Sequence, residues 1–537
     1  MYTLDLSKSL ISAQQDDFVR EATVGDLLRE IVVERASSTA LVEVDLEGQT
    51  GRRWNYGELL SDSEQLALAL ASRFSQGERI TGWAPNVPEW LLIEYACALA
   101  GLVLVTANPS YQDKELRYVL EQSGSVGLFL VNHFRGNPMH EIALKATEGL
   151  VAVREIVDVD DHAALFRTGD RTSLLPNVYP DDPAQIQYTS GTTGFPKGAV
   201  LAHRSLTNNA RFYASRTLAT SDSTWANFMP MFHTSGCGMI SLGCLQFGCK
   251  MVLFKLFDPA AILRIIESER ITGFLGVPTM LVALLESLSL ESADVSSVEM
   301  VVSGGAMVAP ELVRNIQQAF ECKFETVYGQ TETSPLITQH HAGDTIDDIC
   351  NSVGQPMPQT TVSIRSIEGN KVVPLDTVGE ICVQGYCNMI EYHANTEATA
   401  ETIDKQGWLH TGDLGTMDSR GYVRVTGRVK EMIIRGGENM FPAEIENVLL
   451  EHPSILEVAV VGLPDEKWGE IVACFVRAAT ADVIDPQDLH THCRQNMSPQ
   501  KTPVLWFQVE AFPLTGSGKI RKFELRDRYL AGEYESL

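Results

Sequence analysis

A chain of 537 residues is too long for one hydrophobic core, and three or four packed units are expected on size alone. Hydrophobic residues make up 44% and charged ones 21%, the balance of an ordinary globular protein. The formal charge of −27 opposes broad contact with nucleic acid or an acidic membrane surface, so an anionic small ligand would need local basic groups.

From Val24 the apolar residues Leu27, Leu28, Ile31 and Val32 fall at helical spacing, and Tyr56 to Arg73 carries a second apolar helical face. Short β-like runs then alternate with helices: Arg79 to Ala84, a helix from Glu89, Leu102 to Thr106, a helix from Gln112, and Val126 to Val131. Such alternation predicts βαβ units on a parallel sheet. An acidic, proline-punctuated stretch from Asp158 to Pro183 reads as a connection. The alternation resumes with a helix from Arg204, a strand near Lys250 to Leu253, a helix from Asp258 to Glu269 and a strand at Ile271 to Phe274. Met300 to Ser303 is a strand running into Gly304-Gly305, a helix starts at Pro310, and a further strand ends at Tyr328.

From Thr360 to Gln384 the pattern shifts to short strands and turns, as in a small β subdomain. Gly427-Arg428-Val429-Lys430 divides this body, residues 1–429, from a last stretch, residues 430–537. That stretch has its own order: a helix from Pro442, strands at Leu456 to Gly462 and Ile471 to Val476, a helix at Pro486 to Gln495, a strand at Val504 to Val509 and a final helix after Gly518. The expected fold class is α/β: a large N-terminal α/β body of several subdomains, one of them a distorted β unit, plus a small mobile α+β C-terminal domain on a polar joint.

The ten cysteines form no CxxC pair and show no metal-like spacing with histidine. Cys382 and Cys387 come nearest and lack partners at a suitable spacing, so buried or idle thiols in a reducing compartment are expected. Adjacent His340 and His341 lack ligand spacing and receive no role. The first residues lack a basic-then-apolar signal segment, and the most apolar stretch, Trp90 to Ala107, is interrupted by Glu94 and too short to span a bilayer. A cytoplasmic enzyme without a transmembrane segment or nucleic-acid partner is the expectation, with a homodimer left open.

Chemistry concentrates first in Tyr188-Thr189-Ser190-Gly191-Thr192-Thr193-Gly194-Phe195-Pro196-Lys197-Gly198, a polar loop between two apolar runs. Glycines let backbone N–H groups approach anionic oxygens, hydroxyls add donors and Lys197 adds a point charge, so the loop suits phosphate. It is not a Walker A loop: Pro196 stands where a second glycine should be, and Gly198 where Ser or Thr is needed. Taken alone, a Ser/Thr/Gly cluster also describes a surface linker. Val327-Tyr328-Gly329-Gln330-Thr331-Glu332-Thr333-Ser334 places an aromatic face, a hydroxyl and a carboxylate within five residues, able to stack on a base, hold a phosphate and hold Mg²⁺. The same Thr-x-Thr-Ser pattern also serves as a helix cap.

Both segments resemble signatures of the adenylate-forming superfamily, which includes acyl-CoA synthetases, firefly luciferase and the adenylation domains of peptide synthetases. Three more segments match in the family's order: Gly407-Trp408-Leu409-His410-Thr411-Gly412-Asp413, then Gly427-Arg428-Val429-Lys430 through Gly436-Gly437-Glu438-Asn439, then Pro513-Leu514-Thr515-Gly516-Ser517-Gly518-Lys519. The resemblance spans essentially the whole chain and is strongest to acyl-CoA synthetases of medium or long acyl chains. Gln384 departs from it, standing where the family usually has arginine.

The resemblance implies ATP, Mg²⁺ and CoA as ligands and a small carboxylic acid as substrate. It implies that Thr189, Ser190, Gly191, Thr192, Thr193, Gly194 and Lys197 hold phosphate. Tyr328 would flank the adenine beside Gly329, Thr331 would contact the α-phosphate, and Glu332 would be the metal ligand. Asp413 would bind the ribose hydroxyls with Arg428, Lys430 would be the pivot of the last domain, and Lys519 the catalytic lysine. Gly436 and Gly437 would line a pantetheine tunnel. His233 would lie near the substrate carboxylate, where amino-acid-activating relatives carry an aspartate. Ser303, Gly304, Gly305, Ala306 and Met307 would form an acyl-pocket wall. An aryl acid ligase, an acyl-AMP ligase serving a carrier protein, a luciferase-like oxygenase and an inactive nucleotide-binding scaffold stay open as alternatives.

Overall fold

The computed structural model describes residues 1–169, 174–189, 196–306, 308–435, 438–465, 467–479, 484–514 and 520–537. Among these residues the strands assemble into four sheets. The first runs Glu391–Tyr392, Lys197–Ala202, Pro183–Thr189, Val103–Thr106, Arg79–Trp83, Gly127–Leu130 and Glu155–Asp158. From Pro183–Thr189 onward its pairings are parallel; Lys197–Ala202 folds back antiparallel and Glu391–Tyr392 caps that edge. The apolar stretch after Val87 becomes helix Pro88–Ala100, every residue of which is buried. No helix among the described residues is long and apolar enough to cross a membrane.

The second sheet runs Gln355–Pro356, Leu336–Gln339, Lys323–Gly329, Met300–Gly304, Gly273–Gly276, Thr224–Asn227, Lys250–Phe254, Thr39–Val44 and Thr50–Asn55. Its centre is parallel and both ends are antiparallel. The predicted alternation is therefore present but divided between two sheets. The hairpin Thr39–Val44 with Thr50–Asn55 has no counterpart among the predicted strands; it adds to Lys250–Phe254 from about two hundred residues away in the chain. The predicted strand at Ile271 moves to Gly273–Gly276, because the Ile271 N–H donates to the Ile266 carbonyl and closes the preceding helix behind the left-handed Arg270.

One residue near the antiparallel end carries a penalty. Glu325 on strand Lys323–Gly329 is fully buried; its Oε2 accepts from Gln339 Nε2 at 2.7 Å, and Oε1 has no partner among the described residues. Burial pushes its carboxyl up to about 8.

The third sheet, Leu10–Ile11, Thr360–Arg365, Gly379–Gly385, Leu409–Met417 and Val423–Arg428, is antiparallel throughout and encloses its own small core of Val362, Ile364, Ile381, Val383 and Val423. The fourth contains Glu438–Met440, Ile433–Arg435, Gly469–Ala478 and Ile455–Asp465, with Leu505–Gln508 parallel to Gly469–Ala478. Helices Pro442–Leu450 and Pro486–Asn496 bury Ile445, Leu449 and Leu489 on one face of it, and helix Lys522–Leu530 buries Leu525 on the other. Its central hairpin extends past the predicted ends to Asp465 opposite Gly469, since ladder pairing does not require apolar side chains there.

Candidate active site

Strand ends from three sheets meet at the predicted motifs. Pro183–Thr189 and Lys197–Ala202 pair so that Thr189 lies opposite Lys197, which brings the two ends of the predicted phosphate loop together at a strand terminus. Ser190, Gly191, Thr192, Thr193 and Gly194 lie outside the described residues. Lys197 Nζ sits 5.0 Å from the ring centroid of Tyr392, a cation over an aromatic face.

Tyr392 also reaches the second sheet. Its hydroxyl donates to Glu332 Oε1 at 2.6 Å, while the Met389 N–H donates to the Glu332 carbonyl and the His393 N–H to the Gly198 carbonyl. Burial and the neighbouring Glu332 carboxylate push the Tyr392 phenol far up, so it stays a donor. Glu332 occupies a short 3₁₀ turn, Thr331–Thr333, and is buried; Thr331 beside it is half-buried. The strand end just before this turn packs tightly against the backbone just after it. A Cβ on Gly329 would lie 1.9 Å from the Pro335 carbonyl oxygen, so only glycine fits.

Four residues before Glu332, the hydroxyl of Tyr328 donates to Asp413 Oδ2 at 2.9 Å, and Arg428 Nε donates to Asp413 Oδ1 at 2.7 Å. Asp413 and Arg428 face one another across the pair Leu409–Met417 and Val423–Arg428. The Asp413 charge raises the Arg428 guanidinium further above its usual value. Asp413 is buried, so the pair forms a fixed anionic and cationic edge at the junction of the second and third sheets.

Gly304 ends strand Met300–Gly304 opposite Val327, and a Cβ there would lie 2.6 Å from Val327 Cγ2. Gly305 has φ +79°, and both it and Ala306 are exposed; Met307 lies outside the described residues. His233 is half-buried, with Nδ1 3.1 Å from Ser235 Oγ, at the entry to a π-helical turn, Ser235–Ser241. That turn is joined to the loop-bearing strand through Gln187, whose Nε2 donates to Cys237 Sγ at 3.1 Å.

Lys430 is exposed in the 3₁₀ turn Val429–Glu431, between the third and fourth sheets. Gly436, Gly437 and Lys519 lie outside the described residues. The last of these falls within a segment whose ends are pinned by a bridge between Leu514 and Ile520 and by the Arg521 N–H donating to the Pro513 carbonyl. Just beyond, Lys522 Nζ lies 2.7 Å from Glu446 and 3.4 Å from Glu431; burial opposes its charge, but the two carboxylates raise its pKa.

Sequence reasoning missed two groups. Tyr392 lies sixty residues from Glu332 in a segment without a recognised motif, so only the edge strand reveals it. The second corrects the reading of Cys382 as partnerless: strand pairing sets Cys382 opposite His410, with Sγ 3.5 Å from Nδ1, and Glu380 Oε2 is 2.7 Å from the same nitrogen. Gln384 donates to the Gln406 carbonyl at 2.8 Å, holding the turn before the third signature.

The whole arrangement has known counterparts. The profile of the AMP-binding enzyme family matches residues 28–393, and that of the AMP-binding enzyme C-terminal domain matches residues 444–519. The chain belongs to the AMP-binding enzyme family, and its fold is that of the adenylate-forming superfamily. Among its relatives, the putative acyl-CoA synthetase YngI of Bacillus subtilis (strain 168) is 34% identical over 94% of this chain and 97% of its own length. The mitochondrial medium-chain acyl-CoA ligase ACSF2 of Homo sapiens is 33% identical over 89% of this chain and 83% of its own. A crystal structure of ATP-bound MatB from Rhodopseudomonas palustris superposes with a TM-score of 0.84 at 26% identity, covering 95% of this chain and 99% of that one.

Proposed function

We propose that this chain is an ATP-dependent acyl-CoA synthetase that joins a medium- or long-chain fatty acid to AMP and passes the acyl group to CoA. The observation that carries the proposal is the pair of fixed clusters four residues apart, Tyr328–Asp413–Arg428 and Glu332–Tyr392–Lys197. The first offers a carboxylate to two vicinal ribose hydroxyls, and the second offers charge of both signs to a metal-bound polyphosphate. The name of one relative, a medium-chain acyl-CoA ligase, supports the medium-chain part of that choice.

A carboxylate is a poor acylating agent because oxide would have to leave. Attack of its oxygen on the α-phosphorus of ATP forms an acyl adenylate, while the bond to the bridging oxygen breaks and pyrophosphate departs. The CoA sulfur then bonds to the acyl carbon, the acyl–oxygen bond to AMP breaks, and the thiol proton passes to solvent. In the first step Lys197 and the donors of the 189–197 loop hold phosphate oxygens, Asp413 fixes the ribose, and Lys519 neutralises charge between the acid and the α-phosphate. His233 would border the acid, and the small residues Gly304, Gly305 and Ala306 would leave room for its chain. Glu332 suits Mg²⁺: one of its oxygens is held by Tyr392, the other has no hydrogen bond among the described residues, and Mg²⁺ is commonly held by a single carboxylate plus substrate phosphates. Bound there, the ion would neutralise charge on the phosphates.

The test is pyrophosphate–ATP exchange across a panel of aliphatic and aryl acids, with and without CoA. Exchange with medium- and long-chain fatty acids, and acyl-CoA formation once CoA is added, is the expected result. A preference for aryl acids, product stalled at acyl-AMP until a carrier protein is supplied, or no exchange with any acid would each overturn the proposal.

A further inference from the structure

The strand that presents Asp413 is distorted where it matters. Across from strand Gly379–Gly385, Glu380 pairs with Leu414 and Cys382 with His410, so Thr411, Gly412 and Asp413 together face Ile381 alone. The extra residues bulge, with Gly412 at φ +70°, and a bulge of this kind re-aims the side chain beyond it. Three hydrogen bonds hold the bulge: Thr411 Oγ1 donates to the Ile381 carbonyl at 2.8 Å, the Asp413 N–H donates to Thr411 Oγ1 at 3.0 Å, and the Gly412 N–H donates to Glu380 Oε1 at 3.0 Å.

The third bond depends on a carboxylate that must itself be held. Glu380 Oε2 is 2.7 Å from His410 Nδ1, and His410 Nε2 is 3.7 Å from Asp404 Oδ2. Asp404 Oδ1 is already engaged by the N–H groups of Gln406 and Trp408. Cys382 Sγ lies 3.5 Å from Nδ1, and Arg365, stacked 3.9 Å over the Trp408 ring, is the cation facing the group. Glu380, Cys382 and His410 could be read as a metal cup. Two ligands of one zinc ion stand roughly 3.3 Å apart, however, so the 2.7 Å contact is a hydrogen bond.

We propose that His410 is a positioning residue that, as an imidazolium bridging Glu380 and Asp404, locks the Thr411–Asp413 bulge and so strengthens binding of the nucleotide ribose. The inference rests on the assignment of Asp413 to the ribose under the proposed function. A protonated imidazole holds Glu380 by a charge-assisted hydrogen bond and attracts Asp404 across 3.7 Å; a neutral one keeps only a weaker, uncharged bond to Glu380 and loses that attraction. The hydrogen bond that His410 donates to Glu380 is the main cause raising its pKa above the ordinary value; burial and Arg365 oppose the rise, and Asp404 adds to it. The lock is therefore at full strength at low pH and weakens as pH rises through that raised value.

Calorimetric titration of the full chain with AMP between about pH 6 and pH 9 tests this. The Kd should rise about fivefold across the imidazole transition, the low end of a coupling between two sites. 2′,3′-Dideoxy-AMP carries the same titrating phosphate but gives Asp413 no hydroxyl, and should lack that rise. His410→Gln should bind AMP weakly and keep only the pH dependence shown by the dideoxy analogue. Asp404→Asn keeps the Oδ1 acceptor but removes a charge, and should move the midpoint down by roughly 0.5 pH unit. A flat wild-type profile, equal rises for AMP and the dideoxy analogue, or an unmoved midpoint in Asp404→Asn overturns the inference. AMP binding without acid-dependent exchange would sink the proposed function alone, whereas no AMP binding would sink both.

Discussion

Tyr392 touches two groups of opposite charge with one side chain, and the two contacts can be separated. Tyr392→Phe removes the hydrogen bond to Glu332 but keeps the ring beneath Lys197; pyrophosphate exchange should fall about tenfold, the worth of a hydrogen bond to a charged group. Tyr392→Ala removes both and should fall further. Steady-state rates of the two variants settle the matter, since equal loss in both would leave the ring without a role. Gly329 makes a different demand, of space rather than charge. Gly329→Ala drives a methyl into the Pro335 carbonyl and should cost about 1–3 kcal/mol, read as a lowered melting temperature together with lost exchange activity. The glycine could be found in the sequence because it sits inside a recognised signature. Tyr392 could not, because nothing in its neighbours announces a partner sixty residues away.

Elements were legible where periodicity and length agreed. The helices at Tyr56–Arg73, Pro259–Glu269 and Pro310–Phe320 begin within a residue or two of their predicted starts, each with a proline or a capping side chain at its head. What the pattern left out was pairing: the hairpin Thr39–Val44 and Thr50–Asn55 carries exposed arginines, and its place at a sheet edge is decided by a strand two hundred residues on. The buried end of the second sheet yields a pH prediction. Glu325 holds its proton in the folded protein up to about pH 8, whereas the unfolded chain releases it near the ordinary 4.5, so stability drains as pH rises across that interval. Glu325→Gln abolishes the slope. Relative to wild type its melting temperature should climb steadily from acid to pH 8, and a constant difference would show that the carboxyl is not protonated.

For the whole molecule the motifs carried most of the information, because their order along the chain is independent of how the strands pair. They named Tyr328, Asp413 and Arg428, which the fold brings to one junction, and Glu332 four residues on, but they were silent on the contact between Glu380 and His410, which arises only from sheet register. The proposal that Lys519 serves the first half-reaction alone makes a whole-enzyme prediction: Lys519→Ala should lower adenylate formation by about 10²–10³ while sparing thioester formation from synthetic acyl-AMP. Equal loss in both measurements would refute that division. The ammonium of Lys522 has a mechanical corollary. By fastening Glu431 to Glu446, it clamps the first residues after Lys430 to the terminal module, like a bracket bolted to a door rather than to its frame. Any swing of that module must then be taken up by backbone torsions upstream of Glu431, so the axis of rotation is confined to two or three peptide units next to Arg428.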